Sequence, residues 1–125
     1  MPFVDIRSLP FKSNLEIGEV VMKIAAALAK TIDLPPREVC ATWTFIEPNH
    51  YAHGEALASS QGQLSHPPLV DLLAFQGRPP HIVEEMLRVV AFEVSQAAKV
   101  PIENVFVNYR EATKGRVFSK GDIVK

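Results

Sequence analysis

The chain has 125 residues and a mass of 13.8 kDa, the size of one domain with its own hydrophobic core. Its 13 basic and 14 acidic residues leave a net charge of −1, which argues against nucleic-acid or membrane-surface binding driven by bulk electrostatics. The single cysteine, Cys40, excludes an intrachain disulfide. With no signal-peptide pattern and no long apolar run, we expect a cytoplasmic protein without a membrane span.

A proline occupies the second position, so removal of Met1 would leave Pro2 with a free secondary amine. An α-amine titrates near pH ~7.7–8.0, and apolar or cationic surroundings lower its pKa. A buried N-terminal proline can therefore be neutral, remove a proton as general base and return it as general acid. If Met1 is retained, the same nitrogen is an amide without a basic lone pair. The alternative interpretation is that Pro2 only stiffens the start of an edge strand.

The first half of the chain predicts a strand, a helix and a second strand. Residues Phe3 to Ser8 form the first short strand. Ser13 and Glu16 have the spacing of a capping box, with Ser13 as the N-cap and Glu16 at the third helical position. The helix that follows has apolar residues at helical spacing, at positions 17, 20, 21, 24, 25, 28 and 32. It ends before Pro35, and Val39 to Ile46 form the second strand.

The second half repeats the first at an offset of 66 residues, without a gap. The offset places residues 2–6 on residues 68–72 and Trp43 on Tyr109. It predicts strands over Leu69 to Phe75 and Val105 to Arg110, with a helix between them. We therefore expect one domain, 1–125, made of pseudo-repeats 2–54 and 68–120 that are joined by a loop at about 55–67.

Two tandem β-α-β units predict an α+β fold, with a four-stranded sheet and two helices on one face of it. The other face of the sheet is then uncovered. We expect Trp43 and its alternating neighbours to be buried on that face, against other copies in a closed cyclic oligomer. The tail, residues 114–125, is expected to add a short strand that touches a neighbouring subunit.

Taken together, Pro2, the paired β-α-β units and the chain length resemble the tautomerase superfamily, which includes 4-oxalocrotonate tautomerase and macrophage migration inhibitory factor. Asp33-Leu34-Pro35-Pro36-Arg37-Glu38-Val39 is similar to the turn before the second strand of the short bacterial tautomerases. His50-Tyr51-Ala52-His53-Gly54 is similar to the segment that follows that strand. The stretch from Tyr51 to Arg78 also resembles a family of uncharacterised bacterial proteins, the DUF1904 type.

The resemblance implies a homotrimer whose chemistry is proton transfer at a carbon next to a carbonyl. Related families instead hydrate, dehalogenate or decarboxylate their substrates. Pro2 matches the catalytic proline of the superfamily. Tyr51 stands where these enzymes have an active-site phenylalanine, and its hydroxyl could donate a hydrogen bond to a developing oxyanion. The implied substrate is a small α-keto or enol carboxylate, and no cofactor is implied.

Three cationic residues are candidates for binding the substrate carboxylate. Arg78 matches a carboxylate-binding arginine of the decarboxylase family, and Arg116 falls near the mouth of the site by analogy with the C-terminal segment of that family. Lys12 stands where 4-oxalocrotonate tautomerases have a substrate-binding arginine, so it keeps the charge but loses the bidentate fork. Cys40 replaces a second arginine of those enzymes, which is a departure from the pattern. Two of the three also have a plain alternative, Arg78 as a solvated charge at a helix start and Lys12 as a lysine of a surface loop.

Two hypotheses of different classes follow. The first is a tautomerase-like enzyme that uses Pro2, with Tyr51 as a second catalytic group. The second is a non-catalytic protein of the same fold that binds small molecules or partners. The four histidines do not have zinc-site spacing, and Cys40 lies mid-strand without a His–Asp set, so neither a metal site nor a thiol nucleophile is expected.

Overall fold

The computed structural model describes residues 1–11 and 15–125, which form two β-α-β units and two short hairpins. The helices are α1 (Ile17–Thr31) and α2 (Pro80–Ala98). The strands are β1 (Phe3–Ser8), β2 (Cys40–Phe45), β3 (Ala52–His53), β4 (Ala56–Leu57), β5 (Leu69–Phe75), β6 (Phe106–Ala112), β7 (Phe118–Ser119) and β8 (Asp122–Ile123). No helix among the described residues is long and apolar enough to cross a membrane.

The central sheet has the strand order β2-β1-β5-β6 and is mixed. The outer pairs, β1 with β2 and β5 with β6, are parallel, because each pair is joined through a helix. The central pair, β1 with β5, is antiparallel. Both helices pack on one face, where alternate strand residues such as Val4, Ile6 and Leu72 are fully buried. The predicted α+β fold is therefore confirmed.

The two units share local detail as well as topology. Each helix is followed by a residue in the left-handed conformation, Asp33 and Lys99, both with φ of +55° and 66 positions apart. In each unit the backbone N–H of the next residue donates a hydrogen bond to a carbonyl in the last turns of the helix. Leu34 donates to the Ala29 carbonyl (2.9 Å), and Val100 donates to the Ser95 carbonyl (3.2 Å).

The side chain of Trp43 lies on the helix-covered face of the sheet, so its predicted burial on the open face is wrong. Trp43 pairs in register with Ile6, which is fully buried under the helices. Its indole Nε1 donates to Ser8 Oγ at 3.0 Å, and the Phe11 ring packs edge-on against it at 5.3 Å between centroids. Alternation in the sequence identifies two faces of a strand, but not which face the helices will cover.

Helix α1 begins at Ile17, and its N-cap residue is Glu16, not Ser13 as the capping-box pattern predicted. Glu16 has extended backbone angles, and its side chain makes no capping hydrogen bond. Ser13 lies outside the described residues. The helix therefore starts where its apolar spacing starts, at Ile17 and Val20, because packing against the sheet contributes more than a cap to a helix of this length.

The two β-α-β units differ at one buried polar group, the hydroxyl of Tyr109 on β6. Tyr109 is the repeat equivalent of Trp43, but Ala74 stands where the first unit has Ser8. The Tyr109 hydroxyl is buried and has no hydrogen-bond partner among the described residues. We expect Tyr109→Phe to leave the free energy of unfolding unchanged or to raise it by about 1 kcal/mol, because the unpaired hydroxyl costs desolvation energy.

Denaturant unfolding checks this expectation, with Trp43→Phe as the matched change in the first unit. Trp43→Phe should lower the free energy of unfolding by about 1–3 kcal/mol, because it loses both a hydrogen bond and packing volume. An equal loss in both variants would contradict the assignment of Tyr109 as an unpaired group.

Candidate functional site

The amino terminus lies at one end of the sheet, next to the start of β1 and the C-terminal end of β5. Pro2 is less than 2% exposed. Its carbonyl accepts a hydrogen bond from the Cys40 backbone N–H at 3.0 Å, which continues the β1–β2 ladder. Antiparallel pairing of Phe3 with Leu73 brings the C-terminal end of β5, and Arg78 after it, to the same place. The fold therefore brings residues from both repeats to the Pro2 nitrogen.

Two adjoining cavities surround Met1. The first has a volume of about 230 Å³ and is lined by Met1, Glu38, Phe75, Ser119, Lys120 and Val124. The second has a volume of about 160 Å³ and is lined by Met1, Phe3, Leu73, Phe75, Ala112, Val117, Phe118 and Ser119. Because Met1 lines both, its removal is expected to join them and to open them to the Pro2 nitrogen.

The amino terminus is in a mainly cationic environment. Burial lowers the pKa of the Met1 amino group below its ordinary value, and the positive charge of Arg78 lowers it further. Lys120 acts in the same direction, whereas Glu38 and Cys40 oppose it. Lys120 Nζ lies 3.6 Å from Glu38 Oε1, so an ion pair from the β7–β8 hairpin reaches across the mouth of the first cavity.

Arg78 is anchored next to the cavities by the backbone. Its Nη1 donates to the Phe75 carbonyl at 3.4 Å, and Phe75 lines both cavities. Gly77, with φ of +109°, provides the left-handed turn that leads from β5 to Arg78. Among the predicted site residues, the structure thus places Pro2 and Arg78 at the same end of the sheet.

Tyr51 lies at the opposite end of the sheet from Pro2 within one chain. Its hydroxyl donates to the Pro67 carbonyl at 2.7 Å, and its ring packs edge-on against His66 at 5.0 Å. Burial raises the pKa of the Tyr51 hydroxyl, an effect that the nearby charge of Arg7 opposes. Arg7 is five residues along β1 from Pro2, about 17 Å at the rise of a strand. The structure of one chain does not place Tyr51 at the cavities.

Neither Arg78 nor Arg116 is among the described residues that line the two cavities. Arg116 is exposed in the turn between β6 and β7, where its Nη1 donates to the Gly115 carbonyl at 3.4 Å. It precedes the hairpin residues that do line the cavities. Lys12 lies outside the described residues. Within residues 1–11 and 15–125, no group of three or more His, Cys, Asp or Glu side chains is arranged to hold a metal ion.

Known structures identify the fold of the chain. No protein-family model and no curated protein matches the sequence. Pt0534 inactivated by 2-oxo-3-pentynoate superposes with a TM-score of 0.84 at 14% identity, covering 98% of this chain and 94% of that chain. Native fused 4-OT superposes with a TM-score of 0.80 at 14% identity, covering 97% of this chain and 94% of that chain. A macrophage migration inhibitory factor-like protein from Entamoeba histolytica superposes with a TM-score of 0.73 at 15% identity, covering 98% of this chain and 97% of that chain.

The chain has the tautomerase-superfamily fold. The resemblance inferred from Pro2 and the repeat is confirmed at the level of fold. The narrower resemblance to the DUF1904-type family remains a prediction, since no family model matches.

Two charged residues of this candidate site were not predicted from the sequence, Glu38 and Lys120. Glu38 is in the turn that carried the family resemblance, two residues before the start of β2. Lys120 is in the tail, for which a short strand that touches a neighbouring subunit was expected. A contact between positions 38 and 120 has no local signal in the sequence, because the two residues are far apart along the chain. Cys40, at the position of the expected arginine, has its Sγ 3.5 Å from Met1 Sδ.

Proposed function

We propose that this protein is a tautomerase-like enzyme, in which Pro2, freed by removal of Met1, transfers a proton on a small α-keto or enol carboxylate. The observation that carries the proposal is the environment of the amino terminus. It lies beside two cavities, and burial and the charges of Arg78 and Lys120 lower the pKa of an amine placed there. A neutral amine near pH 7 is what general-base chemistry needs.

The pKa of a free Pro2 amine is expected to be lowered, as that of the Met1 amino group is. The Pro2 nitrogen is one residue away from that group, so Arg78 and Lys120 act on it in the same direction, and it lies at the same partly buried end of the sheet. Desolvation disfavours the charged form of an amine and lowers its pKa. The same cations would stabilise the enolate that forms when Pro2 removes a proton next to the substrate carbonyl.

Arg78 and Lys120 are the proposed partners of the substrate carboxylate. A guanidinium can bind a carboxylate through two parallel hydrogen bonds, and the Phe75 carbonyl already orients Arg78. Lys120 is paired with Glu38 at the cavity mouth, and an incoming carboxylate would compete for it. Lys12 and Arg116 remain secondary candidates for the same role.

The pH dependence of the reaction tests this electrostatic arrangement. Activity that requires a neutral Pro2 should rise with pH through the pKa of the amine and then level off. Lys120→Gln removes a charge that lowers this pKa, so the rise should move to higher pH. Glu38→Gln removes a charge that raises it, so the rise should move to lower pH. Profiles of kcat/KM against pH check both, and shifts of the same sign would contradict the arrangement.

The proposed assembly is a homotrimer. Structures with the same fold include fused 4-OT trimers, one asymmetric and one symmetric. The open sheet face of this chain carries the exposed rings of Phe3 (41%) and Phe106 (58%), and the strands β2 and β6 each have an unpaired edge within the central sheet. Exposed apolar faces and free edges are typical of surfaces that other chains cover.

Sedimentation velocity in dilute buffer tests the trimer. We expect a single species of three chains, and a stable monomer would contradict it. A trimer would also decide the role of Tyr51, because only a neighbouring subunit could bring its hydroxyl to the Pro2 cavities. If Tyr51 acts there, Tyr51→Phe should lower kcat without changing the sedimentation coefficient.

A non-catalytic binding protein is the second candidate, and one observation favours it. Cys40 occupies the position of an arginine that polarises the substrate carbonyl in the 4-oxalocrotonate tautomerases, so a cation expected from the resemblance is missing. With Met1 retained, the Pro2 nitrogen would be an amide and the cavities would serve only to bind a ligand. The state of that nitrogen separates the two candidates.

A further inference from the structure

The two cavities at the amino terminus differ in chemical character. The 230 Å³ cavity contains the Glu38–Lys120 ion pair. The 160 Å³ cavity has no charged side chain among the described residues that line it, and its wall includes Phe3, Phe75 and Phe118. Together they fall in the lower part of the range of about 300–1,000 Å³ that is typical of small-molecule sites.

The C-terminal hairpin contributes to both cavities. Phe118, on β7, lines the apolar cavity, Lys120, in the turn after it, lines the charged one, and Ser119 lines both. The hairpin is held by a hydrogen bond from the Gly115 N–H to the Val124 carbonyl (2.7 Å) and by one from the Val124 N–H to the Val117 carbonyl (2.8 Å). One short segment therefore sets both the charge and the shape of the pocket.

We infer that the site selects monocarboxylates with an apolar substituent over dicarboxylates, and that Phe118 and Lys120 determine this selectivity. The inference rests on the proposed function, which makes the reacting ligand a keto or enol monocarboxylate. The carboxylate binds between Arg78 and Lys120, and the apolar substituent occupies the cavity beside Phe118. A second carboxylate in that cavity would lose its hydration without gaining a cationic partner, which disfavours binding.

Binding of two unreactive acids tests the selectivity without requiring turnover. Calorimetric titration of the Met1-free protein with 3-phenylpropanoate and with adipate should give at least about a tenfold tighter dissociation constant for 3-phenylpropanoate. Phe118→Lys should reduce this preference about tenfold or reverse it, because it gives the second carboxylate a partner. Phe118 is 69% exposed, so the substitution leaves the core intact.

Phe92→Lys is the matched control, because Phe92 is 50% exposed on α2 and lines neither cavity. It should leave the preference unchanged. Equal or tighter binding of adipate, binding of neither acid, or the same effect from both lysine variants would overturn the inference.

Turnover separates this inference from the proposed function. We expect a higher kcat/KM for phenylenolpyruvate than for 2-hydroxymuconate. Pro2-dependent turnover that favours 2-hydroxymuconate overturns the selectivity and leaves the proposed function standing. A preference for 3-phenylpropanoate in binding, with no turnover of either substrate, overturns the proposed function and leaves the ligand class standing.

Discussion

Loss of the free Pro2 amine is expected to lower kcat/KM for phenylenolpyruvate by roughly 10²–10⁴-fold, the usual contribution of a positioned acid–base group. The sharpest comparison uses one sequence in two forms, with Met1 removed and with Met1 retained by inhibiting its excision in the expression host. In the form that retains Met1, the Pro2 nitrogen is an amide, and Met1 lines both cavities. Kinetic assays of phenylenolpyruvate ketonisation, with the intact mass measured for each sample, check the expectation.

Pro2→Ala is a second form of the same test. Alanine keeps an amine after Met1 removal but loses the ring that fixes the nitrogen, so the expected loss is smaller, roughly 10²-fold. Full activity in the protein that retains Met1 would contradict a role for the Pro2 nitrogen. Equal sedimentation and thermal unfolding of the variants would show that any loss is chemical and not structural.

Replacement of Arg78 by glutamine has the second-largest expected effect, a fall in kcat/KM of roughly 10–100-fold. A charge-assisted hydrogen bond to a carboxylate contributes about 1.5–3 kcal/mol, which corresponds to that range. Arg78→Lys should recover part of the loss, because it restores the charge without the bidentate geometry. Steady-state kinetics should show the loss mainly in KM if Arg78 binds the substrate and transition state equally.

Arg88→Gln is the control for Arg78→Gln. Arg88 is an exposed arginine on α2 that lines neither cavity and, unlike Arg78, is not among the charges that shift the pKa of the Met1 amino group. Its loss therefore changes the net charge equally without altering the charge at the amino terminus. The assignment of Arg78 as the carboxylate partner fails if the two glutamine variants have the same kinetics.

The fold was predictable because its signals are local and repeated. Periodicity placed β1 at Phe3 to Ser8 as observed, and the 66-residue offset indicated two β-α-β units that the structure shows. The face of Trp43 was not predictable from alternation alone, because both faces of β2 contain apolar or neutral residues. The start of α1 was misplaced because the Ser13 to Glu16 pattern is short and packing from Ile17 onward determined the boundary.

Only part of the candidate site was predictable from the sequence. Pro2 and Arg78 come together because β1 and β5 occupy equivalent repeat positions and pair antiparallel at the centre of the sheet. That same pairing puts Tyr51 beside Arg7, at the far end, which motif matching could not indicate. Glu38 and Lys120 meet through the β7–β8 hairpin, and the path of such a short hairpin depends on tertiary contacts that the sequence does not reveal.

Catalysis by Pro2 is tested most directly by an ¹⁵N NMR titration of Pro2 in proline-labelled protein purified without added N-terminal residues. We expect a signal from a secondary amine that titrates below the ordinary range of an α-amine, because burial and the charges of Arg78 and Lys120 lower the pKa of an amine at this end of the chain. A Pro2 signal with the shift of an amide, unchanged across the titration, would show that Met1 remains attached and would contradict catalysis by Pro2. An amine that titrates in the ordinary range would contradict the proposed effect of Arg78 and Lys120 on its pKa.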